Sequence, residues 1–97
     1  MIERIREIWI ESNWILSEII GYNFEIEMAL SRLASTLDDL EASSEPTNSQ
    51  IEIVFIALNE LKNSLGKCII QVPKSYQPLI ENLIDRIEIF LFHHRMF

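Results

Sequence analysis

Ile51-Glu52-Ile53-Val54-Phe55-Ile56-Ala57-Leu58-Asn59-Glu60-Leu61-Lys62-Asn63-Ser64-Leu65-Gly66-Lys67-Cys68-Ile69-Ile70-Gln71-Val72 is the stretch on which the fold turns. Ile51, Val54, Leu58, Leu61, Leu65, Cys68 and Val72 recur in alternating steps of three and four, and Phe55 and Ile69 widen the stripe. Such steps put all of these side chains on one side of an α-helix, in a band too broad for a bare coiled-coil seam. Ile53, Ile56 and Ala57 are apolar off the stripe, so the pattern predicts a central helix with neighbours on several flanks. Gly66 is its weak point, but the spacing stays in phase through Cys68, Ile69 and Val72, which predicts helix from about 49 to 72.

Moving outward, Pro73-Lys74-Ser75-Tyr76-Gln77-Pro78 closes this helix and opens the next. Ser75 is a candidate N-cap, and proline is tolerated in a first helical turn. Leu79, Ile80, Leu83, Ile84, Ile87, Phe90, Leu91 and His94 then keep helical spacing, predicting a helix over about 76–95 with His93, His94 and Arg95 at its negative end. On the other side, Glu41 to Gln50 is small, polar and broken by Pro46, a linker over 42–49. Thr47, Asn48 or Ser49 can cap the central helix, with Glu52 near its positive end.

Residues 2–42 carry one nearly continuous stripe: Ile5, Ile8, Ser12, Ile15, Ile19, Tyr22, Ile26, Leu30, Leu33, Leu37 and Leu40, broadened by Trp9 and Leu16. Its single plausible break is Gly21-Tyr22-Asn23, where glycine suits the position past a helix end and asparagine suits an N-cap. A turn there gives helices over about 2–20 and 23–42. Without it, one helix of about 40 residues would run roughly 60 Å and would need a second copy of the chain to cover it. The expected fold is therefore all-α: a single domain over 1–97, a small antiparallel bundle of three to four helices. A long-helix homodimer is the alternative.

The chain of 97 residues carries two Gly, three Pro and one Cys, and its formal net charge is −7. That charge argues against nonspecific nucleic-acid binding and against anionic membranes, and it permits attraction to a basic partner. A lone Cys68 on the apolar stripe reads as an inert buried thiol and excludes a cysteine–zinc cluster. The longest apolar run, Ile53 to Leu58, is far shorter than the roughly 20 residues that span a bilayer. The N-terminus has no continuous apolar core of the kind a secretion signal needs, so the chain reads as soluble and cytoplasmic.

Candidate functional residues come from charge and from misplaced aromatics. No basic residue stands between Arg32 and Lys62, a stretch holding Asp38, Asp39, Glu41, Glu45, Glu52 and Glu60. Asp38, Asp39 and Glu41 fall where a helix is expected to end, and there the dipole disfavours anions. Asp38, Asp39, Glu41 and Glu45 are therefore the expected partner-binding residues, an acidic lobe for a basic surface. Trp9, Tyr22, Phe24, Tyr76, Phe90 and Phe97 read as core, whereas Trp14 and Phe92 lie off the core faces. Large aromatics so placed are enriched at interfaces, and Trp14 joins the expected binding set. If residues 2–42 form one continuous helix, Glu11, Glu18 and Glu25, at seven-residue spacing, read as a solvated acidic face.

The chemistry of enzymes is thinly represented. Di-metal bundles need Glu-x-x-His on two helices, and no such motif occurs. No phosphate loop, His-Glu-x-x-His or Ser/His/Asp arrangement is present. Arg86 and His93, separated by six residues, resemble the Arg-x(4–6)-His signature of HEPN-type ribonucleases. Ile87 stands where that family carries a polar residue after the arginine. The resemblance implies an all-α dimer in which these two residues act on RNA at the dimer interface. The reading that the residues carry furthest is non-enzymatic: a protein–protein interaction module with no cofactor, metal, nucleic-acid or membrane requirement. A small acidic inhibitor, immunity protein, antitoxin or adaptor fits it, with a homodimer possible and a HEPN-like ribonuclease as the alternative.

Overall fold

The computed structural model describes residues 1–94. Helix α1 covers Ile2–Ile15 and buries Ile5, Ile8 and Ile15. Ser12 is buried in the same stripe, its hydroxyl donating to the Ile8 carbonyl at 2.7 Å, so no polar group there is left unsatisfied. The helix then loosens into one π-helical turn, Leu16–Ile20, closed by the Gly21 N–H on the Leu16 carbonyl at 2.7 Å. Gly21 takes φ 80 and ψ −139, a conformation that an L side chain rarely adopts. Asn23 is then the N-cap of α2, Phe24–Ala42, its side chain accepting from the Ile26 N–H at 3.0 Å.

The chain therefore turns at Gly21, and the long-helix arrangement of residues 2–42 is not adopted. Because the turn lifts the chain out of the helical phase, Tyr22 and Phe24 are exposed rather than core, and Tyr76, in the turn before α4, is exposed too.

Helix α3, Asn48–Cys68, starts with a reciprocal capping box. The Thr47 hydroxyl accepts from the Gln50 N–H at 3.2 Å, and the Gln50 side chain accepts from the Thr47 N–H at 2.9 Å. Gly66 stays helical, but α-helix ends at Cys68, sooner than the spacing alone predicts. Ile69–Gln71 tighten into a 3-10 turn and Val72 is extended. Val72 nevertheless stays buried, which is why the apolar phase carries through it. Helix α4 covers Gln77–His94. The residue before it is Tyr76, so Ser75 lies one place too early for the expected cap. Gln77 instead reaches back, its side-chain amide donating to the Val72 carbonyl at 3.1 Å. Arg95 and Phe97 lie outside the described residues.

Ion pairs give the helix directions. Glu25 pairs with Lys67 at 3.6 Å and Arg32 with Glu60 at 2.6 Å, so seven residues up α2 match seven down α3. Arg6 of α1 meets Asp38 and Glu41 at the far end of α2, and Glu11 of α1 meets Arg86 of α4. Each helix packs antiparallel on its sequence neighbour, and α1 closes the ring against α4. This is an all-α, four-helix antiparallel bundle.

Its core is one cluster fed by all four helices, with Ile5, Ile26, Leu33, Leu58, Leu61, Leu65, Ile80, Leu83 and Ile87 inaccessible to solvent. Phe55 of α3 meets Phe90 of α4 edge-on, ring centroids 6.1 Å apart. Trp9 fixes α1 to α2 through its indole N–H, which donates to the Leu30 carbonyl at 2.9 Å. Ile53 and Ile56 are 50% and 51% exposed, so α3 is not flanked on that side as its apolar excess predicts. Among the described residues no helix is long and apolar enough to cross a membrane.

Candidate functional site

The end of α2, the 43–47 connection and the start of α3 bring the acidic residues together at one end of the bundle. Asp38, Asp39, Glu41 and Glu45 are all exposed. The structure supplies what the linear charge pattern hides: Arg6, distant in sequence, lies against this end of α2. Its guanidinium bonds Asp38 at 3.4 Å and Glu41 more closely. Two carboxylates that the helix dipole disfavours are thus offset by a cation from the neighbouring helix. The pairing gives Asp38 and Glu41 a local partner that Asp39, on the same turn, does not have among the described residues. Among the described residues no cation pairs with Asp39 or Glu45, so two carboxylates share one guanidinium there and two are left over.

Trp14 is 52% exposed on α1. It stands eight residues after Arg6, about 12 Å of helix rise toward the opposite end of the bundle. The two parts of the expected binding set are thus separated along the molecule. Phe92 is also exposed, its ring edge-on to His93 at 5.6 Å.

The evenly spaced glutamates do not form one solvated face. Glu11 pairs with Arg86 across α1 and α4, and Glu25 pairs with Lys67 across α2 and α3. The turn at Gly21 takes Glu11 and Glu25 onto different helices, so seven-residue spacing no longer means a shared side.

Arg86 and His93 do line one groove, of about 740 Å³, between the start of α1 and the end of α4. Arg4, Phe90 and His94 line it with them, and so do Glu3 and Glu7. The guanidinium of Arg86 is engaged by Glu11, while its Nε is buried with no hydrogen-bond partner. His94 stacks on Phe90, ring centroids 4.1 Å apart, and its Nδ1 lies 2.9 Å from the Phe90 carbonyl.

Cys68 is buried, with its thiol 3.2 Å from the Leu65 carbonyl. Burial pushes the thiol pKa above its ordinary value, against a smaller lowering by the backbone hydrogen bond. Lys67, the neighbouring cation, is turned to Glu25. Among the described residues no group of three or more His, Cys, Asp or Glu side chains could hold a metal ion.

One surface feature escapes the sequence reading. The outer side of the α2/α3 pair carries a row of three adjacent shallow grooves from Phe24 to Ser43, the first two meeting at the Arg32–Glu60 ion pair. On α3 these are lined by Gln50, Ile53, Ala57, Glu60, Ser64 and Lys67, each one residue before a core position. On α2 they are lined by Glu25, Ala29, Arg32, Thr36 and Asp39, in the same relation to Ile26, Leu30, Leu33, Leu37 and Leu40. A second stripe at three-to-four spacing, offset by one residue, was the signal available for it.

Comparison with protein-family models, with curated proteins and with solved structures finds no match to this chain.

Proposed function

We propose that this chain is a protein-binding module that works without catalysis: a small acidic inhibitor, immunity protein, antitoxin or adaptor that meets a basic partner protein in the cytoplasm. The observation that carries the reading is the acidic lobe, where Asp38 and Glu41 pair with the guanidinium of Arg6 and the exposed carboxylates of Asp39 and Glu45 pair with no cation among the described residues. Exposed carboxylates in surplus raise the local concentration of a cationic partner and speed its docking. The packed bundle holds Asp38, Asp39 and Glu41 at the end of α2 with Glu45 in the connection beyond it, and Trp14 adds apolar contact on a separate part of α1.

The test uses a fluorescent oligolysine peptide as the basic probe, with stopped-flow association measured against salt. The variant changes Asp38→Asn, Asp39→Asn, Glu41→Gln and Glu45→Gln together. The wild type should associate faster at low salt, with the gap closing as salt screens charges beyond roughly 8–10 Å. Equal rates at low salt would overturn the reading.

A second reading has one observation in its favour: Arg86 and His93 line the same groove, as a HEPN-like ribonuclease requires. Glu11 on Arg86 and the carboxylates of Glu3 and Glu7 in that groove count against RNA phosphate there. The double variant described in the Discussion distinguishes the two readings.

A further inference from the structure

We infer that the outer α2/α3 groove seats one amphipathic helix of a partner protein, with basic residues of that helix lying over Asp39. The inference rests on the protein-binding reading above and names the surface and the kind of element that fills it. A helix is the fitting occupant because the groove is made of helices whose backbone groups are already paired. No strand edge is offered, so recognition must run through side chains. The floor is small, with Ala29, Ala57 and Ser64 along it, which lets another helix approach closely. Apolar walls stand at both ends: Phe24 and Met28, 62% and 38% exposed, and Ile53 and Ile56, about half exposed. From Glu25 to Ser43 the groove follows about 27 Å of α2, the length of a helix of about 18 residues.

Charge decides which helix. Asp39 lines the groove at the acidic end, and no cation among the described residues pairs with it. Beside it, Asp38 and Glu41 share Arg6. A helix carrying Lys or Arg at its polar positions is complementary to that end. A second copy of this chain, itself at formal charge −7, is not. The Glu25–Lys67 and Arg32–Glu60 pairs cross the groove, but all four side chains are substantially exposed. Exposed pairs of this kind contribute at most about 1 kcal/mol and can rotate aside.

The probe is a synthetic amphipathic peptide of about 18 residues with leucine along one face and lysine on the rest. Its controls are a scrambled peptide of the same composition, the peptide with glutamate for lysine, and oligolysine. Binding is read by titration and by amide chemical shifts of the labelled protein. The lysine/leucine helix should bind with shifts along 28–39 and 53–64, and the controls should bind there at least about tenfold more weakly. Ile53→Gln with Ile56→Gln should weaken the helix by about tenfold or more while the protein still melts cooperatively, at a temperature lowered by about 5–15 °C because half of each side chain is buried. Oligolysine bound at the acidic lobe without helix binding in the groove would overturn this inference and leave the protein-binding reading standing. Failure of every lysine peptide to bind would overturn both. Dimerisation of the chain abolished by the same two substitutions, with no peptide bound, would assign the groove to a second copy and overturn the proposal.

Discussion

Replacing Leu61 by alanine separates the packed side of α3 from its open side more sharply than any other change. Leu61 and Leu58 are fully buried at the middle of the helix, whereas Ile56 is 51% exposed on the same element. Leu→Ala removes three carbons, worth roughly 0.8 kcal/mol each on transfer, or about 2.4 kcal/mol. A residual cavity adds about 1–2 kcal/mol, because a core held by four helices relaxes only in part. The expected cost is about 3–4 kcal/mol for Leu61→Ala, and Leu58→Ala should fall within about 2–5 kcal/mol by the same reasoning. For a domain of this size that lowers the melting temperature by about 12–30 °C. Ile56→Ala removes as many carbons, but only about half of that surface is buried and no cavity forms. Alanine's better helix propensity returns about 0.4 kcal/mol, so the net cost should be about 0.5–1 kcal/mol. Urea melts followed by circular dichroism give all three values, with an unchanged m-value confirming that the denatured state is the same. A cost under about 0.5 kcal/mol for Leu61→Ala, or equal costs for Leu61 and Ile56, would refute the assignment of the two sides.

Four further outcomes are expected. Gly21→Ala should destabilise by about 1–3 kcal/mol, because nothing obstructs an added Cβ and the whole cost is the φ of 80. Gly66→Ala, in open space within α3, should stabilise by about 0.5–1 kcal/mol, and the two thermal melts together check both signs. The Cys68 thiol is raised by burial, so the unfolded chain loses its proton at lower pH than the folded one. Stability that is constant below about pH 9 should fall as pH rises above it, an added slope absent from Cys68→Ala. Denaturation curves at stepped alkaline pH measure it, and identical slopes would contradict the burial. Arg86→Ala with His93→Ala should leave peptide binding intact. Loss of a ribonuclease activity in that folded double variant would instead favour the alternative reading.

The core was legible because alternating steps of three and four have one geometric meaning. The stripe from Ile51 to Val72 packs on the core, and in α4 Ile80, Leu83, Ile87, Phe90 and Leu91 do so, whereas Leu79 and His94 at its two ends are exposed. The turn was legible in kind: only glycine readily holds the Gly21 conformation, and Asn23 caps α2 directly after it. The shortened end of α3 was hidden, since a 3-10 turn keeps Val72 buried and preserves the apolar phase. Ile53 and Ile56 misled because apolar character alone does not say whether a neighbour is present. For the candidate site, the linear run of acids was readable and Arg6 was not. Its position against Asp38 and Glu41 depends on two helices folding back on each other, a relation that local charge counting does not contain. The α2/α3 groove was hidden for the same reason, as it exists only once both helices are docked in register.

The fold-back of α1 on α2 underlies the core and the Arg6-capped acidic lobe, and one distance tests it. Spin labels placed at Arg4→Cys and Ala42→Cys, both exposed sites, can be measured by pulsed dipolar spectroscopy, the native thiol of Cys68 being buried. The turn at Gly21 predicts a separation of about 10–20 Å, an interhelical spacing of about 8–10 Å plus the label arms. A distance near 57 Å, about 38 residues at 1.5 Å each, would mean an unbroken helix and would contradict the account.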